Sequence, residues 1–213
     1  MGKKNNMTVL VINVGNVDYG KYSIPLIEKL CDYNNVNLFV LDKNIPQNIY
    51  GLHPSWLKLF SFDLVNDDFI ITWDLDLIPF KLYDFKTLFD VKKLNLSYDP
   101  SYTRFNFTFN GKFKYNCGLM GIPRKYSEDL KNVYLNNGKN SNYPSYEQYH
   151  VNDWIFDNNY DVNLLDYKLN TLFEGNENFE DNLLNIHYTW KVNSSNHRLE
   201  LIKKHSEKYD KNF

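Results

Sequence analysis

A chain of 213 residues, 43% hydrophobic and 23% charged, has the size and apolar content for one substantial core, which argues against small modules strung on linkers. Its 24 Lys and Arg oppose 26 Asp and Glu for a net charge of -2, so no global field draws it to nucleic acid or an anionic membrane. With 17% aromatics against 9 Gly and 7 Pro, it is neither disordered nor low in complexity.

In chain order, the apolar run from Thr8 to Asn13 reads as a strand buried on both faces and closed by Gly15. Ser23 to Leu30 predicts a helix with Ile24, Leu26, Ile27 and Leu30 on its apolar face and Ser23 and Pro25 at its start. Val36 to Leu41 is the next strand. Ser55 is placed to cap a helix carrying Trp56, Leu57, Leu59, Phe60 and Leu64, with Lys58 on another face. The strand Phe69 to Trp73 stops at Asp74, and a short amphipathic stretch runs from Asp84 to Val91.

Alternating Phe105, Phe107 and Phe109, the turn pair Asn110-Gly111, then Phe113 and Tyr115 predict a β-hairpin. A strand at Leu119 to Ile122, a helix at Ser127 to Leu135 and a helix at Tyr146 to Phe156 follow. Strands at Val162 to Leu165 and Leu183 to His187 and a charged helix at Leu199 to Lys208 complete the chain. This alternation implies a single α/β domain over 1–213: a Rossmann-like fold whose mixed, mostly parallel central sheet is flanked by helices, with the hairpin inserted. Cys31 and Cys117 form neither a metal spacing nor a disulfide framework and read as reduced thiols of an intracellular protein. No stretch approaches the ~20 apolar residues that span a bilayer.

The candidate site is FIITWDLDLIPF, with Asp74 and Asp76. On extended backbone, residues two apart point the same way, so both carboxylates can converge while Leu75 faces the core. Two carboxylates with open coordination positions suit Mg²⁺ or Mn²⁺ carrying a phosphorylated ligand. The triplet alone is uninformative, since 18 Asp in 213 residues predict roughly 1.5 such triplets by chance. Its position carries the signal: an apolar strand runs directly into it, and open α/β sheets bind ligands at the carboxyl ends of their strands.

The strand ending in D-L-D, the later NCGLMGIP segment, the helix with E-Q-x-x-x-N-D and the final strand ending in His before W-K together resemble the GT-A class of nucleotide-sugar glycosyltransferases. The pattern is similar to the family eight enzymes and to the capsid-glycosylating transferase domain of chlorella viruses. The resemblance implies a hexosyltransferase that uses a UDP-sugar and acts on a glycan or glycoprotein acceptor, without nucleic acid. A viral relative would work on a capsid glycan in the host cytoplasm. It also implies that Asp74 holds the donor ribose or reaches the metal through water, that Asp76 and His187 ligate the metal, and that Lys191 neutralises the diphosphate. The ending HYTWK departs from the longer family-eight pattern around Lys191. The exit of the first strand, Val11 to Asn16 with Asn13 and Gly15, would receive the nucleoside, and Lys58 is a second candidate on that side. Asn116, Cys117 and Gly118 would line the sugar side.

On the helix after residue 146, Gln148 and Asn152 share a face and Asp153 is offset by about 100° from Asn152. Either Gln148 or Asp153 could approach the anomeric carbon, and Asp153 is the candidate general base. Two other readings fit the residues: a haloacid-dehalogenase-type phosphohydrolase, which also places D-x-D after a strand, and a nucleotide-sugar-binding module without turnover.

Overall fold

The computed structural model describes residues 6–14, 18–42, 54–99, 114–137, 147–173, 183–188 and 195–213. Gly15, Lys191 and nearly all of the expected aromatic hairpin lie outside these residues. A six-stranded sheet forms the frame, in the order β2-β1-β3-β6-β5-β7. The strands are β1 Met7–Ile12, β2 Asn37–Leu41, β3 Phe69–Trp73, β5 Leu94–Tyr98, β6 Tyr115–Pro123 and β7 Val162–Leu164. β1 is parallel to β2 and β3, and β5 to β7, while β6 runs antiparallel to both β3 and β5.

Side-chain alternation divides the core into two layers. Leu10 and Ile70 enter one layer with Met120 and Ile122, whereas Val9, Val11, Phe69, Ile71 and Trp73 enter the other. The first layer is covered by the helical run α2 (Pro54–Leu57), a 3-10 turn at Lys58–Phe60 and α3 (Ser61–Leu64), and by the later helices at Ser127–Asn137 and Glu147–Asp157. The second packs on α1 (Gly20–Asn34) through Ile27, Leu30 and Cys31. Such two-sided cover explains why β1 and β3 are continuous apolar runs.

A smaller sheet, β4-β9-β8, lies beside it, built from β4 Leu77–Pro79, β8 Thr171–Leu172 and β9 Asn185–His187. β4 pairs antiparallel with β9, and β8 parallel to it. Ile78 and Ile186 join Leu26 of α1 and Ile202 of the last long helix in a third core cluster.

Several expectations are corrected. α1 begins at Gly20, so Pro25 sits inside the helix and Ser23 is no cap; its hydroxyl donates to the Tyr19 carbonyl. The helix expected from Ser55 breaks at Lys58 into a 3-10 turn. The stretch from Asp84 holds one helical turn, α4 (Phe85–Leu88), capped by the Asp84 carboxylate accepting from Lys86 N. The strand at Leu119 begins at Tyr115, and β5 was not anticipated. We label the remaining helices α5 (Ser127–Asn137), α6 (Glu147–Asp157) and α7 (Ser195–Tyr209). No helix among the described residues is long and apolar enough to cross a membrane.

Candidate metal and donor site

The site lies where β3 ends. Asp74 N donates to Gly118 O at 2.9 Å, which holds the strand end against β6, and Leu77 N donates back to Asp74 O at 3.0 Å. The backbone from 74 to 77 therefore turns rather than extending, so Asp74 and Asp76 converge around a turn and not through strand alternation as expected. β9 is tied to the same turn, because Tyr188 N donates to Asp76 O at 2.8 Å. His187 thereby reaches the pair: ligand atoms of Asp74, Asp76 and His187 all lie within 4.8 Å of one another. Two carboxylates and an imidazole are a chemically suitable donor set for Mn²⁺ or Mg²⁺, and the residues fit such an ion.

His187 Nε2 lies 3.2 Å from Asp76 Oδ1, and Arg198 of α7 donates from Nη1 to Asp76 Oδ2 at 3.1 Å. Burial disfavours the imidazolium, but the Asp76 charge and hydrogen bond outweigh it and hold His187 above the usual histidine range. Asp76 is buried too, which alone would raise its carboxyl; His187 and Arg198 instead hold it below the usual carboxylate range.

Lys58, a candidate on the nucleotide side, turns inward to the acidic pair. It is 3% exposed, and its ammonium donates to Asp74 Oδ1 at 2.8 Å and Cys117 O at 3.0 Å and pairs with Glu147 Oε1 at 2.9 Å. Burial would lower its proton affinity, but Asp74 and Glu147 more than compensate and hold it above the ordinary lysine range. Glu147, at the first position of α6, is pushed up by burial, with Lys58 opposing that shift. The broken helix at Lys58 places this cation between β3 and the start of α6.

A bulge shapes the β5–β6 pairing beside this cluster. β5 and β6 are in register at Leu96 with Met120, then at Ser97 with Asn116, so Cys117, Gly118 and Leu119 have no partner on β5. Cys117 is buried, and that burial raises its thiol. Gln148 Oε1 accepts from Cys117 N at 3.0 Å, and its Nε2 donates to Asp99 Oδ2 at 3.0 Å. Asn152 Oδ1 accepts from Lys114 N at 2.8 Å and Tyr115 N at 2.6 Å, a structural clamp on β6.

A side chain at Gly118 has no room: its Cβ would fall on His187 Cε1 and lie 2.9 Å from His187 Nδ1. Asn13 leaves β1 at the same sheet edge as Asp74, given the pairing of Val11 with Trp73, and its Oδ1 sits against Gly20. Asp153 is half-buried on α6, where its charge opposes the lowering of His150 by burial. Thus Asp74, Asp76, His187 and Lys58 form one cluster, Gln148 reaches it through the Cys117 peptide, and no described contact links Asn13 or Asp153 to it. Arg198 and Asn170, the latter 2.8 Å from His187 Nδ1, were missed. Neither belongs to a motif, and both are brought in from distant segments by the smaller sheet and α7.

No family model and no curated protein sequence matches the chain. Solved structures do. One is a glycosyltransferase involved in glycosylation of the major capsid of PBCV-1, with 15% identity and TM-score 0.69 over 92% of this chain and 98% of that one. Another is the galactosyltransferase LgtC in complex with donor and acceptor sugar analogues, with 12% identity and TM-score 0.55 over 95% of this chain and 96% of the other. A third is a Drosophila β-1,4-galactosyltransferase 7 variant in complex with manganese, UDP-Gal and xylobiose, at 16% identity and TM-score 0.52, covering 90% and 73%. At these identities the likeness establishes the fold, the GT-A fold of glycosyltransferases with its mixed sheet and flanking helices.

Proposed function

We propose that this chain is a single metal-dependent glycosyltransferase domain that moves a hexose from a UDP-sugar to a hydroxyl of a glycan or glycoprotein. The observation that carries this reading is the convergence of Asp74, Asp76 and His187 at the end of β3, inside a glycosyltransferase fold. The solved neighbours with manganese and UDP-Gal, and with donor and acceptor sugar analogues, support the classes of cofactor and ligand. The capsid-directed neighbour makes a capsid glycan the acceptor we favour, with cytoplasmic action as its corollary.

In this reading Asp74, Asp76 and His187 hold Mn²⁺ or Mg²⁺, which when bound neutralises charge on the leaving diphosphate. The chain supplies two further cations close by. Lys58 offsets part of the charge of Asp74 and Glu147, and Arg198 pairs with Asp76, so the acidic cluster repels a diphosphate less. Lys191 is assigned the same diphosphate role from the resemblance alone. Asn13 and Gly15, at the exit of β1, receive the nucleoside. During transfer the anomeric carbon–oxygen bond breaks with its electrons going to the nucleotide, and the acceptor oxygen forms the new bond and sheds its proton. Gln148, fixed between Cys117 N and Asp99, lines the sugar side but as an amide takes no proton, so Asp153 is the candidate base.

The phosphohydrolase alternative needs a nucleophilic carboxylate, whereas Asp74 is held by a buried ammonium at 2.8 Å and the fold is that of glycosyltransferases. A thermal-shift panel of nucleotides with and without Mn²⁺ tests the proposal. We expect UDP to raise the melting temperature only with Mn²⁺, and Asp76→Asn to abolish the shift, because a ligand that binds the native state stabilises it by about 2.7 kcal/mol at a hundredfold excess over Kd. Equal Mn²⁺-dependent shifts in both proteins would remove Asp76 from the site.

A further inference from the structure

We infer that Asn170 is a positioning residue that fixes the proton of His187 on Nδ1 and so presents the lone pair of Nε2 to the cation. The inference rests on the metal-site reading above, and it follows from a chain of hydrogen bonds whose direction is set at one end. Gly118 N lies 2.8 Å from a side-chain atom of Asn116. A backbone N–H can only donate, so that atom is the carbonyl oxygen, Oδ1. Asn116 Nδ2 then faces Asp99 Oδ2, at 3.3 Å, as a donor should.

The Asn170 atom 2.7 Å from Asn116 Oδ1 must in turn be its amide nitrogen, which also donates to Ser97 Oγ at 2.9 Å. The remaining Asn170 atom is therefore an acceptor. It lies 2.8 Å from His187 Nδ1, which must carry the hydrogen. The opposite nitrogen, Nε2, is the one that points at Asp76. Without a cation the Asp76 carboxylate accepts from Nε2 as Asn170 accepts from Nδ1. A cation takes the place of the Nε2 proton, and Asn170, by keeping the other proton on Nδ1, leaves Nε2 as the lone-pair donor the metal requires.

Every member of this chain is fixed by packing. Asn170, Asn116 and His187 are 2%, 6% and 5% exposed. Asn170 N donates to Tyr167 O at 3.0 Å, anchoring the residue at the end of a 3-10 turn. The ring itself lies against Gly118, where no side chain fits. The same chain continues through Asp99 to Gln148, so one buried polar network orients both the metal ligand and the amide on the sugar side.

The test pairs Asn170→Leu, which removes the acceptor, with Asn170→Asp, which keeps an oxygen there while losing both donor bonds. Metal-free protein is examined by ¹⁵N NMR of His187 at a pH where the ring is neutral, and Mn²⁺ affinity is measured by calorimetry at a temperature where all three proteins are folded. We expect Nδ1 to be protonated in wild type and in Asn170→Asp, and this preference to vanish in Asn170→Leu with a roughly 10–100-fold loss of Mn²⁺ affinity. Asn170→Asp should bind Mn²⁺ more tightly than Asn170→Leu; a merely structural asparagine predicts the reverse, since the aspartate is set against Asn116 Oδ1. Wild-type His187 protonated on Nε2, unchanged affinity in Asn170→Leu, or an equal loss in both variants would overturn the inference. A ring protonated on Nδ1 in wild-type protein that binds no Mn²⁺ would instead overturn the metal reading.

Discussion

His187, at the end of β9, and His205, on α7, are about equally buried, at 5% and 7% exposure, yet their proton affinities move in opposite directions. His187 stands beside Asp76 and is held above the usual range. His205 sits among Phe173, Tyr188 and Tyr209, with its Nδ1 hydrogen-bonded to the Tyr188 hydroxyl. Burial, with Lys204 and Lys208, brings it down to about 4. Desolvation acts on both rings in the same sense, so a counter-charge decides the sign. One region is a buried cluster of opposite charges, and the other is an aromatic pack in which nearby lysines add to the cost of burial.

Removing one charge from the first region should make it obey the rule of the other, and Lys58→Met is the largest such change. Asp74 and Glu147 would be left facing each other around an apolar side chain, and breaking a buried pair typically costs about 3–5 kcal/mol. We expect that loss in urea unfolding at neutral pH, with much of it recovered at acid pH where the carboxylates are protonated. A variant as stable as wild type at pH 7 would mean that the ammonium carries no such balance.

Gly118→Ala perturbs the same region by volume instead of charge. Its Cβ would overlap the rigid His187 ring and approach Asn116 Oδ1 at 3.0 Å, and neither can swing aside without breaking its hydrogen bonds. Overpacking of this kind costs about 1–3 kcal/mol, and we expect Mn²⁺ affinity to fall together with stability. The corresponding small-to-large change in the aromatic region has no ligand to lose. Undiminished Mn²⁺ affinity in Gly118→Ala would show that the ring has freedom which the packing denies.

The frame was legible in the sequence where both faces of a strand are covered, because an unbroken apolar run too short for a helix, such as Phe69 to Trp73, fits a strand shielded from water on both sides. Asp74 and Asp76 were legible for the same reason, being the polar stop on such a run. β5 escaped because its sequence, LNLSY, looks half-solvated; Asn95 is buried and spends its amide on Asp90, Lys93 and Gly121 carbonyls. For Lys58 only a separate helix face was legible, because helical spacing gives a face but not what that face meets. Arg198 and Asn170 carry no local signal at all. Their roles exist only once β9, β8 and α7 have brought distant segments to the turn at Asp76.

The smallest expected effect compares the two histidines directly. His205 has a folded pKa of about 4 against about 6.5 unfolded, so the unfolded chain binds the extra proton as pH falls through that window. Its contribution to stability is present above pH 6.5 and is lost towards pH 4, on the order of 1 kcal/mol by pH 5. His187 runs the other way: its raised pKa stabilises the fold below the unfolded value of 6.5, and that contribution is lost as pH rises through the folded pKa. Urea unfolding between pH 5 and 7 should therefore show His205→Phe losing less stability on acidification than wild type. Asp76→Asn should lose more, because His187, stripped of its counter-charge, then falls below the usual range as His205 does. An NMR titration in which His187 keeps its raised pKa in Asp76→Asn would show that something other than the carboxylate separates the two rings.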